Sequence, residues 1–141
     1  IDISKNIKIK RLDLFYNQLS TIDLSSNPNL ETFYIQGNLL STIDLSANPK
    51  LERLIIEDNN FSTLDLSSVP NIFDLEIGGN QFDAQTLDML IDHINLQATT
   101  NDISNGYMDF QNNPGSDNIS NASLVKINQL ISSYNWFFNN N

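Results

Sequence analysis

The hexapeptide STIDLS occupies residues 20–25 and again 41–46, STLDLS follows at 62–67, and the chain opens on IDIS, so Asp2, Asp23, Asp44 and Asp65 recur every 21 residues. A period that strict leaves few folds open: the chain must be a stack of like units, each too small to bury its own apolar face. Set out in rows of 21, the sequence aligns in columns. Leu12, Phe33, Leu54 and Leu75 form one, and Leu14, Ile35, Ile56 and Ile77 the next. Asn17, Asn38, Asn59 and Asn80 follow, then Leu19, Leu40, Phe61 and Phe82. Across the row, Ile1, Ile22, Ile43 and Leu64 align, as do Ile3, Leu24, Leu45 and Leu66, with Pro28, Pro49 and Pro70 beyond them.

Each column has a physical reason. The alternating LxL segment predicts a short strand with its apolar side chains turned inward. Stacked rows then build a parallel sheet over a continuous core. The asparagine falls where the chain leaves the strand and backbone groups lose their ladder partners. A buried amide has the donors and the acceptor to satisfy them. The proline fixes φ on the return to the next strand.

Read as LxxLxLxxNxLxxxDLSxNPx, the pattern resembles the leucine-rich-repeat family, in the short form of bacterial surface proteins. That resemblance implies an α/β fold: a right-handed solenoid with a parallel concave sheet and short turns on its convex side. It also implies a non-enzymatic recognition module whose concave face meets a protein or peptide partner, in a secreted or cell-surface protein, with no cofactor. Residues 1–82 make the regular part of a single domain, and 83–141 a longer, helical C-terminal part. Because Ile1 falls inside a repeat, the chain is expected to be a fragment lacking earlier repeats.

After Phe82 the 21-residue spacing fails. Leu87, Leu90, Ile91 and Ile94 recur at helical spacing behind Asp83, a residue suited to cap a helix. A second helix is predicted through Leu124, Ile127, Leu130 and Ile131. The strand columns resume at Met108, Phe110 and Asn113, and again, by this reading, at Trp136, Phe138 and Asn141.

Seventeen acidic against seven basic residues give a net charge of −10, which opposes nucleic-acid or anionic-membrane partners. No apolar run is long enough to predict a membrane span. The absence of cysteine excludes disulfides, thiolate zinc sites and cysteine nucleophiles. The single histidine, His93, reads as a surface residue of the first helix, without a nucleophile to serve.

The side chains pointing outward from the sheet escape the core pattern and are the predicted contact surface: Arg11, Asp13, Phe15 and Tyr16; Thr32, Tyr34 and Gln36; Arg53, Ile55, Glu57 and Asp58. Further rows add Asp74 and Glu76 with Gly78 and Gly79, then Tyr107, Asp109 and Gln111, then Asn135 and Phe137. Phe15, Tyr16, Tyr34 and Ile55 would make an apolar patch. Glu57, Asp74, Glu76 and Asp109 would make an acidic flank that favours a basic partner. Carbohydrate stacking on Phe15, Tyr34 and Tyr107, and a structural role in an assembly through the repeat ends, are the rival readings. The aspartate column falls on the other, convex side. Carboxylates one coil apart repel by about 1 kcal/mol even in a water-like dielectric. Local capping of the following backbone N–H groups offsets this with fewer ligands than calcium demands, so no metal is expected.

Overall fold

The computed structural model describes residues 1–140. Short strands β1 (Arg11–Asp13), β2 (Thr32–Tyr34), β3 (Arg53–Ile55), β4 (Asp74–Glu76), β5 (Tyr107–Asp109) and β6 (Phe137–Asn139) lie side by side in chain order in one parallel sheet. Leu12, Phe33, Leu54, Leu75, Met108 and Phe138 are in register across it. Behind them Leu30, Ile35, Leu40, Leu51, Ile56 and Phe61 are fully buried, which is the continuous core that the row alignment predicts. In the first coil Ile9, Leu12, Leu14 and Leu19 pack on that core but remain partly exposed.

The asparagines after the strands clamp one coil to the one before it. The Asn59 amide donates to Ile56 O and Glu57 O of its own coil and to Ile35 O of the preceding coil, at 3.0–3.1 Å, and its oxygen accepts from Leu40 N at 3.0 Å. Asn38, Asn80 and Asn113 repeat the arrangement. The residue before each of these asparagines turns left-handed: Tyr16, Gly37, Asp58, Gly79 and Asn112 have φ of 53°, 67°, 50°, 64° and 57°. Small and large residues alternate down this column because a Cβ on Gly37 would strike the Tyr16 ring, and one on Gly79 the Asp58 carboxylate. A second asparagine ladder runs through the core. The amides of Asn27 and Asn48 donate to Asn6 O and Asn27 O at 3.0 and 2.9 Å, and Val69 ends the series.

Two helices replace the convex turns after the fourth strand. The first, α1 (Ala84–Asn101), starts where the Asp83 carboxylate accepts from Thr86 N at 2.8 Å, the predicted cap. Its Leu87, Leu90, Ile91 and Ile94 are buried as expected. The second, α2 (Asn121–Tyr134), is capped by Ser120. It buries Ile127 and Leu130, but Leu124 and Ile131 face outward, contrary to expectation. An ion pair from Lys126 to Asp92 joins the two helices.

The last row is shifted by two residues from its predicted place. Phe138, not Trp136, pairs with Met108. Asn135, expected on the strand, ends α2 in a left-handed conformation, φ 55°. Trp136 is buried against Gly106, where a Cβ would collide with the indole, and its N–H donates to Ile103 O at 2.9 Å. A slip of two keeps every side chain on its predicted face, so alternation alone does not reveal it. The expected asparagine column position at Asn141 lies outside the described residues.

Candidate functional site

Parallel register carries the outward side chains into rows across the concave sheet. One row is Arg11, Thr32, Arg53, Asp74, Tyr107 and Phe137; the next is Asp13, Tyr34, Ile55, Glu76, Asp109 and Asn139. Backbone bonds beyond the strands set Gln36, Glu57, Gly78 and Gln111 on successive coils.

At the β1 end the groups satisfy one another. The Arg11 guanidinium donates to both Asp13 carboxylate oxygens at 3.0–3.1 Å and lies over the Tyr34 ring, 4.7 Å from its centre. Phe15 and Tyr16 meet edge to face at 6.0 Å, and Tyr16 is 74% exposed. Toward β4 and β5 the face becomes acidic. Glu57, Asp74 and Glu76 are each half-buried, and the nearest cation is Arg53, whose guanidinium is 3.5 Å from Asp74 and stacks over Phe73 at 4.9 Å. Burial, then the charges of Glu57, Asp74 and Asp109, push the Glu76 carboxyl up to about 7. Burial chiefly raises Glu57 as well, with Asp109 and Asp58 adding to it, and the Glu57 and Glu76 carboxyls are close enough to share a hydrogen bond. Asp74 is raised by burial and partly relieved by Arg53.

Two expected contact residues are not at the surface. Ile55 is 3% exposed, set between Tyr34 and Glu76 on the neighbouring strands. Asp109 is also 3% exposed. It accepts from Tyr107 Oη at 3.2 Å, Gln111 N at 3.0 Å, Gln111 Nε2 at 3.3 Å and Asn139 Nδ2 at 2.8 Å, so it braces the face from within. Burial and the Asp109 charge hold the Tyr107 hydroxyl protonated, pushing it up to about 12. Gly78, expected among the exposed positions, is buried beside Asp109. Phe137, by contrast, is 65% exposed and stacks on Tyr107 with ring centres 5.8 Å apart. The repeat rows place it outward in the sequence, beside Asn135. The remaining expected residues, Arg11, Asp13, Phe15, Tyr34, Arg53, Glu57, Asp74, Glu76 and Tyr107, do share this face.

No protein-family model matches the chain, and no curated protein matches it in sequence. Solved structures do match. The functional domain of InlJ from Listeria monocytogenes, described as including a cysteine ladder, superposes with a TM-score of 0.64 over 89% of this chain at 25% identity. The leucine-rich-repeat protein LIC12759 of Leptospira interrogans superposes with a TM-score of 0.67 over 96% of this chain at 19% identity. The chain is a leucine-rich-repeat solenoid. It spans 25% of the length of the first of these chains and 33% of the second. Leucine-rich-repeat solenoids are in general protein-interaction modules, their curvature creating an extended concave surface. This one has no cysteine, and its ladders are of asparagine.

On the convex side of the leucine-rich-repeat coils the four aspartates act as local caps, as the repeat predicts. Asp2, Asp23, Asp44 and Asp65 accept from the backbone N–H of Ser4, Ser25, Ser46 and Ser67 at 2.8–2.9 Å. Hydrogen bonds from the same serines, hydroxyl first at Asp23 and Asp44 and backbone N–H first at Asp2 and Asp65, hold the carboxyls below the usual range, and where a neighbouring aspartate raises one the effect ranks behind them. Among the described residues no three His, Asp or Glu side chains come together as a metal would require, and no helix is long and apolar enough to cross a membrane. His93 differs from expectation: it is half-buried, and its Nε2 is enclosed without a hydrogen-bond partner.

Proposed function

We propose that the concave face recognises a protein or peptide partner that brings a basic side chain to the Glu57–Glu76–Asp74 cluster and an apolar one to the aromatic residues around Tyr34. The observation that carries this reading is the imbalance on the face: of three half-buried carboxyls only Asp74 has a cation, Arg53, beside it. A partner's lysine or arginine would supply the missing charge where water is already thin, which strengthens the pairing relative to an exposed site. Because strands and ladders hold the side chains in place, little ordering entropy is lost on contact. The resemblance to repeats of bacterial surface proteins extends the proposal to a secreted or cell-surface setting.

Peptides selected from a random library on the immobilised chain should be enriched in Lys and Arg. Glu76→Gln should weaken the selected ligands about tenfold, or about 1.4 kcal/mol, and a Phe15→Ala, Tyr34→Ala double variant should weaken them without loss of folding. Selected ligands with no basic excess, or unchanged affinity in both variants, would overturn the assignment.

A further inference from the structure

The outward residues of the concave face change character twice between β1 and β6. Phe15 and Tyr34 belong to the first two coils, Glu57 and Glu76 to the next two, and Tyr107 and Phe137 to the last two. Phe15 and Phe137 are both exposed, and Phe137 is backed by its stack on Tyr107. In the middle, neither arginine of the face is paired with a glutamate: Arg11 holds Asp13 and Arg53 holds Asp74. From end to end the face is aromatic, acidic and aromatic, in blocks two coils wide.

The block spacing limits what can touch all three. Parallel strands lie ~4.8 Å apart, so the block centres are ~9.6 Å apart and the outer two ~19 Å. An extended strand presents one face every second residue, at ~6.7 Å, so its second residue falls short of the next block and its fourth passes it. A helix returns to one face every seven residues, at ~10.5 Å, and over two steps overshoots by about 2 Å. The curve of the face draws side-chain tips together and widens that misfit. A polyproline II segment has three residues per turn and rises ~3.1 Å per residue, so every third side chain lies in line at ~9.3 Å. Its conformation is ordered before contact, and aromatic rings are the surfaces on which such segments dock.

We infer that the concave face takes a peptide in polyproline II form laid across the strands, with an arginine or lysine at its centre on Glu57 and Glu76 and a proline three residues to either side, one on Phe15 and Tyr34 and the other on Tyr107 and Phe137. Such binding rests on the basic partner proposed for the acid cluster; the second apolar block, the spacing and the conformation are new to it. An acidic residue at the centre is repelled by the glutamates, and a peptide without the fixed spacing must give up chain entropy to meet all three blocks.

The test is a titration of the 15N-labelled full chain with the peptides PPPRPPP, PGGRGGP and PPPEPPP, each blocked at both ends, followed by amide chemical shifts. PPPRPPP should give saturable shifts at Phe15, Glu76 and Phe137 together. PGGRGGP keeps the three contact residues without the polyproline II form and should bind about tenfold more weakly. Phe137→Ala, which removes an exposed ring from the edge strand, should weaken PPPRPPP about fivefold. Absence of saturable shifts with PPPRPPP would overturn the inference. So would equal binding of PGGRGGP, unchanged affinity in Phe137→Ala, or library-selected ligands whose essential residues fall seven apart, as a helix requires. Each of these leaves the basic-partner reading standing if the selected ligands keep their Lys and Arg excess. Binding of PPPEPPP as tight as that of PPPRPPP would overturn both.

Discussion

The coils carry carboxyls on both rims, and the two sets titrate in opposite directions. On the convex rim Asp23, Asp44 and Asp65 lie one coil apart, with like charges in line, yet all are held below the usual range because each takes hydrogen bonds from the hydroxyl and the backbone N–H of a serine in its own turn. On the concave face Glu57, Asp74 and Glu76 have partial burial and one another for company, and all are raised. The difference is whether the donor is built into the backbone beside the acid or left for something else to bring. A locally capped carboxylate is a finished part of the scaffold; a raised, half-buried one is an unmet demand, and that is why the concave acids are read as a contact surface and the convex ones are not.

The comparison presumes a coil body rigid enough to keep its rims distinct, and the asparagine clamp is where that can be broken most severely. Asn80 donates to Ile56 O, Ile77 O and Gly78 O and accepts from Phe61 N, all within 3.2 Å. Asn80→Ala should cost about 3 kcal/mol by urea unfolding, since it strands buried groups in two coils; a loss under ~1 kcal/mol would mean that the ladder is not what holds the coils.

A smaller effect sharpens the comparison directly. Glu76 has its folded value raised from 4.5 to about 7, so the native state binds more protons than the unfolded chain across that window. Its contribution to stability is therefore present below about 4.5 and is lost as pH rises toward 7. Discounted for solvent screening, Glu76→Gln should raise stability by about 1 kcal/mol at pH 8 and change little at pH 4. Equal effects at both pH values would show that the carboxyl is not raised.

The smallest effect comes from the other rim. Asp44 is lowered from 3.8, so its contribution is present above that value and lost as pH falls through the folded one. Asp44→Asn should lower the melting temperature slightly at pH 7, and the difference should vanish in acid. If it instead raises the melting temperature at pH 7, repulsion along the column outweighs the caps.

Much of this is legible in the sequence. A column such as Phe33, Leu54 and Leu75 repeats because burial repeats, and Asp83 announces α1 because a carboxylate is the natural acceptor for a first-turn N–H. What could not be read has three physical sources. Trp136 and Phe138 both point inward, so the alternation fits either register, and only the length of α2 together with the room above Gly106 decides between them. Ile55 and Asp109 occupy outward positions on a face that curves toward itself, so a position open by alternation is closed by its neighbours. His93 is half-buried because α1 packs against the turn at residues 63–67, a junction that neither segment shows alone.

The asparagine clamp has a direction. Asn38, Asn59, Asn80 and Asn113 each reach back to the coil before, whereas Asn17 bonds only within its own coil. Each clamp is held from both sides: the asparagine comes from the later coil, and the C=O and N–H that it meets come from the earlier one. Parting any two coils therefore strands polar groups on both sides of the break, a carbonyl and an N–H on one and a buried amide on the other. The same clamp joins Phe82 N to Asn113 Oδ1, so the regular coils and the helical rows are fastened by one kind of joint and should part together rather than as separate bodies.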